Sequence, residues 1–122
     1  MKTFNEFINK CPFCDGFKTG SIKLIDTIDD VNIFIPLNPV TDGHLLFVPI
    51  EHVVDFTDNP EVTARVARVA GEYVKKQKYE CNLITSKGVN ATQSVFHLHF
   101  HVVPRIKGDT LKLPWYDQQK GK

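Results

Sequence analysis

The alternation of apolar and polar residues along the chain predicts several short strands. IKLIDT and VNIFIPL flank Asp29 and Asp30, and this arrangement predicts a β-hairpin. After the loop NPVTDG, the run HLLFVPI is continuously apolar, as expected of a central strand covered on both faces. ECNLITS and SVFHLHFHVVP, separated by the polar loop KGVNATQ, predict two further strands.

Between HLLFVPI and ECNLITS, the residues from Pro60 to about Lys78 have the spacing of an amphipathic helix. Asp58 or Asn59 can cap its N-terminus, and Pro60 suits the first helical position, whose N–H has no partner within a helix. The apolar positions recur at helical spacing: Val62, Val66, Val69, Ala70 and Tyr73. Runs of strands interrupted by one principal helix predict an α+β fold with an antiparallel sheet.

Composition limits the possible functions. The chain has 122 residues, of which 42% are hydrophobic and 24% charged, which predicts a single domain over residues 1–122. Its formal net charge of +1 argues against a partner that is a nucleic acid. The segment MKTFNEFINK lacks the apolar core of a signal peptide, and no run approaches the length of a membrane span. We therefore expect a cytoplasmic protein without a membrane partner.

The chain has three cysteines, and because this number is odd they cannot all pair in disulfides within the chain. Cys81 lies in a predicted strand, where a small buried thiol is the simplest interpretation. Cys11 and Cys14 form a CxxC, CPFC, held in a turn by Pro12. In a reducing compartment this spacing indicates a redox pair or half of a zinc site, and a plain turn with free thiols is the alternative.

Three of the five histidines lie in HLHFHVVPR, at every second position. On a strand, His97, His99 and His101 would share one face, with imidazoles about 6.5–7 Å apart, and the helix would cover the other, apolar face. The imidazole face then forms a metal site, or a site in which a central nucleophile is flanked by hydrogen-bond donors. The absence of a carboxylate between Ser86 and Pro104 favours the second interpretation over a catalytic metal site.

HLHFHVV matches the H-x-H-x-H-φ-φ signature of the histidine triad (HIT) family of nucleotide hydrolases and transferases. Four further stretches resemble that family: CPFC, GHLLFVPIEHV, ATQSVFHLHFHVVPR, and KGD with the late Trp115. The chain is therefore identified by resemblance as a Hint-like member of this family with an N-terminal CxxC. The resemblance implies a HIT-like fold with a sheet of about five strands, one long helix and a short N-terminal helix.

The resemblance also implies roles for individual residues. His99 would attack the α-phosphorus of a nucleoside phosphoramidate, adenylate or dinucleoside polyphosphate and form a nucleotidyl-histidine intermediate. His101 would donate a hydrogen bond to the α-phosphate, and His44 would contact the phosphate side of the site. Ser94, which the resemblance also implies to be catalytic, and Gln93 would hydrogen-bond the α-phosphate from the end of the loop. The remaining nucleotide-binding positions implied in this way are Ser86 and Leu37. The expected ligand is a purine nucleotide or a nucleotide conjugate.

A structural zinc ion and a homodimer are implied in the same way. In family members with the CxxC, the two cysteines bind zinc together with the histidine of P-x-x-H and the first histidine of the triad. The corresponding residues are Cys11, Cys14, His52 and His97, which form a two-sulfur, two-nitrogen set suited to tetrahedral zinc. Members of this size pair through the long helix and a sheet edge.

Three positions depart from the family pattern. Pro36 stands where the family has an acid that binds the ribose hydroxyls, Ser86 stands for an asparagine, and Thr92 stands for a glycine before Gln93. We expect the chemistry to survive and the substrate preference to change. The alternative is a nucleotide-binding or regulatory HIT-like protein with little catalysis.

Overall fold

The computed structural model describes residues 11–117, so the leading segment MKTFNEFINK and the end of the polar tail lie outside the described residues. Residues 11–117 include two α-helices, α1 at Pro12–Thr19 and α2 at Pro60–Lys75. The strands are β1 (Asp26–Ile28), β2 (Val31–Phe34), β3 (Leu45–Pro49), β4 (Glu80–Ile84), β5 (Phe100–Arg105), β6 (Lys112–Leu113) and β7 (Tyr116–Asp117). A 3₁₀ turn spans Val89–Ala91.

Five strands form one antiparallel sheet in the order β1-β2-β3-β5-β4. The α+β fold with about five strands, one long helix and a short N-terminal helix is therefore confirmed. The β1–β2 hairpin turns at Asp29 and Asp30, both in the left-handed region with φ of 51° and 59°. Two residues with positive φ between paired strands make the tight turn that best fits the twist of a hairpin. In the part of the chain that the structure describes, no helix is long and apolar enough to span a membrane.

Helix α2 covers one face of the sheet, as the apolar spacing predicts. Asn59 caps the helix, since its side-chain oxygen accepts from the N–H groups of Glu61 and Val62. The helix ends at Lys75, earlier than expected, because the N–H groups of Lys76 and Gln77 turn back onto the carbonyls of Tyr73 and Val74. The buried residues between helix and sheet are Val31, Ile33, Leu45, Phe47, Val53, Val62, Val66, Val69, Ala70, Leu98, Phe100 and Val102.

The opposite face of the sheet is covered in part by α1. Phe13 of α1 packs edge-on against Phe34 of β2, with ring centroids 5.6 Å apart, and Phe17 meets the same ring at 5.8 Å. Gly16 faces inward in this helix, and a Cβ there would come within 2.4 Å of the Ile22 side chain. The close approach of this short helix to the chain that follows it therefore depends on glycine.

The last long strand is shorter than the sequence predicts. The expected strand SVFHLHFHVVP begins only at Phe100, so His97 and His99 precede it and only His101 lies within it. In the preceding segment, the Leu98 N–H donates to the Val53 carbonyl at 2.7 Å, and the Thr85 hydroxyl donates to the His99 carbonyl at 2.8 Å. The backbone of this segment bonds to a loop and to a side chain rather than to a neighbouring strand. The alternation of apolar residues and histidines therefore begins before the sheet pairing does.

The other strands also fall short of their apolar runs. β1 covers only the end of IKLIDT, and β2 ends at Phe34, before the last three residues of VNIFIPL. Beyond β5, Arg105 makes a two-point ion pair with Asp109 at 2.8 and 3.1 Å, and also donates to the Leu111 carbonyl. This pair fixes the turn that leads into the small β6–β7 sheet.

Candidate functional site

Three segments converge on the face of the sheet opposite α2. They are the start of α1, the loop that follows β3, and the segment from Gln93 to His101. Each contributes polar side chains, and the convergence brings together every residue predicted to bind a metal. His97 is fully buried at the centre of this region, and His99 and His101 are half-buried.

The first group at the site is a possible metal centre. One ligand atom from each of Cys11, Cys14, His52 and His97 lies within 4.8 Å of the others. The Sγ atom of Cys14 lies 3.2 Å from Nδ1 of His52 and 3.5 Å from Nδ1 of His97, and Sγ of Cys11 lies 3.5 Å from the same His97 atom. This two-sulfur, two-nitrogen set could hold a metal ion.

Hydrogen bonds around this group prepare its donor atoms. Nε2 of His97 lies 2.8 Å from the Pro49 carbonyl, which can only accept, so this nitrogen carries the hydrogen and Nδ1 keeps its lone pair. The backbone N–H of Cys14 points at Sγ of Cys11 at 3.4 Å. Both contacts favour the forms in which these residues bind metals. They are a neutral imidazole with a lone pair on Nδ1, and a sulfur that accepts hydrogen bonds.

The titration of Cys14 also bears on metal binding. Burial, and then the neighbouring Cys11, raise the pKa of the Cys14 thiol to about 12. Without a cation the two sulfurs would therefore not both ionise at neutral pH. A metal ion would reverse this, because a coordinating thiol loses its proton.

Beside the metal group lies His99, which the sequence predicts as the nucleophile. Its Nδ1 lies 2.7 Å from the carbonyl of His97, so Nδ1 carries the hydrogen and Nε2 keeps the lone pair. The ring is half-buried, and its centroid lies 5.2 Å from that of His101. His99 is thus held in the tautomer with hydrogen on Nδ1 and a lone pair on Nε2.

His44 and His101 form a directed pair. The backbone N–H of Val40 donates to Nδ1 of His44 at 3.1 Å, so in neutral His44 the hydrogen is on Nε2. That Nε2–H donates to Nδ1 of His101 at 2.9 Å, which leaves the His101 hydrogen on its own Nε2. Both nitrogens of His44 are engaged within the protein, so His44 acts on the site through His101.

The imidazoles in this region are held neutral by their surroundings. Burial is the first cause for each of them. Together with the neighbouring His99 and His44, it lowers the pKa of His101 to about 4. Burial lowers the pKa of His97 to about 4, against the Pro49 hydrogen bond, which raises it. Burial also lowers the pKa of His99 and of His44. Near neutral pH, His44, His101 and His99 are therefore neutral and keep the tautomers described above.

The loop before the triad segment is braced by Gln93. Its side-chain amide donates to the carbonyls of Val54 at 2.7 Å and Val95 at 3.2 Å, and its oxygen accepts from the Gly88 N–H at 2.8 Å. Thr92 adopts a left-handed conformation with φ of 71°, which explains why glycine suits this position. A threonine there carries strain on the order of 1–3 kcal/mol.

The other predicted nucleotide-binding residues occupy the rim. Ser94 is exposed at the end of the loop, and Ser86 is half-buried at its start. Leu37 is 99% exposed on the chain that follows β2, so its apolar side chain is open to solvent. These positions agree with a ligand that enters from the rim, and their roles stay predictions.

Sequence reasoning missed two kinds of contributor. Phe13, between the two cysteines, packs edge-on against both His97 and His99, with ring centroids 5.8 and 5.3 Å apart. An aromatic residue inside a CxxC is a signal that could have drawn attention. The carbonyls of Pro49 and His97 and the N–H of Val40 leave no signal in a sequence, because every residue carries such groups.

Comparisons with known proteins show the family to which the chain belongs. The model of the HIT domain family matches residues 21–108, so the chain belongs to this family. The chain is 36% identical over 108 residues to an uncharacterized 16.1 kDa HIT-like protein of Mycoplasma pneumoniae, a match that covers 81% of this chain and 74% of that protein. It is 30% identical over 112 residues to adenylylsulfatase HINT3 of Arabidopsis thaliana, which covers 84% and 56% of the two chains.

A Zn-bound histidine triad family protein of Mycobacterium smegmatis has a similar structure. The TM-score is 0.71 at 30% identity, and the match covers 87% of this chain and 82% of that one. The predicted membership of the histidine triad family is therefore confirmed.

Acidification should weaken the fold through His101. Because its folded pKa of about 4 lies below the ordinary 6.5, the unfolded chain takes up a proton first as the pH falls. This imidazole thus costs no stability above pH 6.5, and stability is lost progressively as the pH falls from there towards 4. Between about pH 7.5 and about pH 5, the wild type should lose on the order of 2 kcal/mol more unfolding free energy than His101→Asn.

Chemical denaturation at the two pH values measures this difference. Asparagine is the matched replacement because its oxygen can accept from His44 and does not titrate. The titrating groups of the metal centre are common to both proteins and cancel in the comparison. An equal loss in the two proteins would contradict the prediction.

Proposed function

We propose that the protein is a nucleotidyl hydrolase or transferase that acts on the α-phosphate of nucleoside phosphoramidates, adenylates or dinucleoside polyphosphates. The observation that carries the proposal is the hydrogen bond from Nδ1 of His99 to the His97 carbonyl, which leaves Nε2 as a neutral nucleophile. The named activity of the Arabidopsis relative, an adenylylsulfatase, supports a reaction at an adenylyl phosphorus. A purine nucleotide or nucleotide conjugate is the expected ligand.

The reaction would have two steps. Nε2 of His99 attacks the α-phosphorus, a P–N bond forms, and the bond from phosphorus to the leaving group breaks. The leaving group departs with the electron pair and takes up a proton from solvent. Water, or another acceptor in a transfer reaction, then attacks the same phosphorus, loses a proton to solvent, and releases His99 with its electron pair. Imidazole suits both steps because it is neutral near pH 7 and a good leaving group once protonated.

Hydrogen-bond donors would stabilise the charge on the phosphoryl oxygens. His101 has Nε2–H available for this, because its Nδ1 is occupied by His44. Ser94 would add a hydroxyl donor from the end of the loop. Gln93 would act by holding the loop in place, since its side-chain amide is engaged with backbone groups. Such preorganised donors commonly supply the largest share of the rate in phosphoryl-type transfer.

The metal that best fits Cys11, Cys14, His52 and His97 is zinc. Two sulfurs and two imidazole nitrogens are a common structural zinc set, and four protein ligands leave no open position for substrate. When bound, zinc would supply structural cross-linking. The named zinc in the Mycobacterium smegmatis protein supports the assignment. The backbone bond of His97 to Pro49 is the kind of support that metal-bound histidines need.

A homodimer is the expected assembly. β4 is an edge of the sheet and leaves Leu83 47% and Ile84 37% exposed, and apolar residues on an open edge invite pairing with another strand. On the outer side of α2, Ala64 and Gly71 are exposed and small enough for another helix to approach closely. Both features suit a symmetric interface.

Replacement of the nucleophile should separate chemistry from binding. His99→Gly should abolish both turnover and the nucleotidyl-enzyme and leave nucleotide affinity largely intact, because the lost group acts by forming a bond. Ser94→Ala and His101→Ala should slow turnover by a factor on the order of 10²–10³, as the loss of one charge-stabilising donor does. The measurements are release of nucleotide from a nucleoside phosphoramidate and binding of the corresponding nucleoside monophosphate.

Quenching the reaction with an alkaline denaturant gives the second readout. A nucleotide trapped on the wild type should map to His99 and be labile to acid and stable to base. Normal turnover in His99→Gly, or a trapped nucleotide on another residue, would sink the mechanism. Tight nucleotide binding without measurable turnover in the wild type would instead support a binding or regulatory protein.

Zinc should co-purify at about one ion per chain. Elemental analysis of the wild type and of two single variants tests the ligand set. His97→Ala should lose the metal, while His101→Ala, the matched control on β5, should retain it. The reverse result would support a catalytic metal site at the three histidines. A wild type that contains no metal, and whose stability a chelator does not change, would support the interpretation of CPFC as a plain turn with free thiols.

Sedimentation at micromolar concentration should reveal a dimer. Leu83→Lys places a charge on the exposed edge and should shift the equilibrium towards monomer, because a charge on an edge strand opposes pairing. Thr27→Lys on β1, the opposite edge, is the control and should leave the assembly unchanged. A monomeric wild type would refute the proposal.

A further inference from the structure

We infer that a metal bound at this centre would do more than hold α1 in place: through His97 and Phe13, it positions the imidazole of His99 for attack. These two are positioning residues, and neither is required to touch the substrate. The inference rests on the proposed function, in which His99 is the nucleophile. Three sets of contacts link the metal ligands to His99: those of the His97 backbone, those of the Phe13 ring and those of the loop that carries His52.

The first link is the backbone of His97. Its ring is held at both nitrogens, with Nδ1 directed at the two cysteine sulfurs and Nε2 bonded to the Pro49 carbonyl at 2.8 Å. The carbonyl of the same residue accepts from Nδ1 of His99 at 2.7 Å. A shift of the His97 backbone would therefore move the acceptor that selects the tautomer of His99.

The second link is the ring of Phe13. This residue lies between the two cysteine ligands, so ligation of both sulfurs fixes the turn of helix that carries it. Its ring packs edge-on against His99 and His97, with centroids 5.3 and 5.8 Å apart, and it is 8% exposed. The ring thus forms a wall against which the nucleophile rests, and its position depends on the metal ligands around it.

The third link is the loop that carries His52. The carbonyl of Val53 accepts from the Leu98 N–H at 2.7 Å, and the carbonyl of Val54 accepts from the Gln93 amide at 2.7 Å. Both bonds connect residues next to a metal ligand with the segment that bears His99. A metal ion that ties His52 to α1 would hold this segment at two further points.

The neighbouring histidine pair is held differently, and this difference provides an internal control. His101 lies in β5, where it is paired with Leu46 of β3 and Ile84 of β4. His44 precedes β3 and is fixed by the Val40 N–H. This pair depends on the sheet and its loop, so metal binding should govern the state of His99 and leave that of His44 and His101 unchanged.

Nitrogen NMR of the imidazoles in the zinc-loaded and chelator-treated full chain tests this inference. In the zinc-loaded protein, His99 should be a single tautomer with hydrogen on Nδ1. After chelation its two nitrogens should move towards averaged tautomer signals, while His44 and His101 keep hydrogen on Nε2. If His99 keeps its Nδ1–H tautomer unchanged without metal, the inference is wrong.

Two variants of α1 keep the test decisive should chelation unfold the chain. Phe13→Leu removes the ring edge on His99 and keeps all four ligands, and Phe17→Leu is the matched control one turn further along. Phe17 packs on Phe13, Phe34 and His97, with centroids 6.3, 5.8 and 6.3 Å apart. Both variants should bind the metal with wild-type stoichiometry.

Turnover of the two variants should then differ. Phe13→Leu should lower kcat by a factor on the order of ten to a hundred with little change in KM, because the nucleophile is displaced while nucleotide contacts remain. Phe17→Leu should lower kcat less, because it loosens the packing on Phe13 and His97 but leaves the ring edge of Phe13 on His99. Equal kcat values in the two variants, or a Phe13→Leu effect confined to KM, would overturn the inference.

The NMR readout separates this inference from the proposed function. A His99 tautomer that depends on the metal in a protein without turnover would refute the hydrolase and leave the structural coupling intact. Turnover through His99 that persists unchanged, with its tautomer, after the metal is removed would refute the coupling and leave the hydrolase intact.

Discussion

The hydrogen bond from His99 to the carbonyl of His97 is the constraint on which the site depends. In a regular strand, a backbone carbonyl bonds to the neighbouring strand and is not available to a side chain two residues later. Here the segment bonds to the loop after β3 through Leu98 and enters the sheet only at Phe100. The carbonyl of His97 is therefore free to bind Nδ1 of His99. The early end of the pairing is thus a condition for this hydrogen bond rather than a defect of the sheet.

The direction of the hydrogen bonds around His101 is set by a backbone amide. The Val40 N–H can only donate, so it fixes His44 as an acceptor at Nδ1 and a donor at Nε2, and this fixes His101 in turn. This arrangement of donor and acceptor nitrogens holds only while the rings are neutral, since a protonated imidazole donates at both nitrogens. Burial keeps the pKa values of His44 and His101 below the ordinary range. Burial and hydrogen-bond direction therefore act together to present one N–H outward.

Local signals were sufficient for the helix and most of the sheet. Asn59 followed by Pro60 marks the start of α2 because capping is a contact between residues close in sequence. The start of β5 could not be read, because Phe96, Leu98 and Phe100 alternate in the same way within and outside the sheet. Spacing in HLHFHVV indicated a site, and the resemblance to a family supplied the roles. Neither could indicate that Gln93 braces the loop through Val54, since that contact depends on a fold that brings distant segments together.

The metal group addresses a problem that α1 has by itself. A helix of eight residues is too short to be stable alone, and its buried side chains must dock for it to persist. Structural zinc sites contribute on the order of 10 kcal/mol to folding. Backbone carbonyls then select opposite tautomers in His97 and His99. A carbonyl holds the hydrogen of His97 on Nε2, which leaves Nδ1 for a metal, and another holds that of His99 on Nδ1, which leaves Nε2 for a substrate. Two identical side chains thus present different nitrogens, the donor atoms that the proposed metal and the proposed reaction each require, according to which nitrogen the backbone occupies.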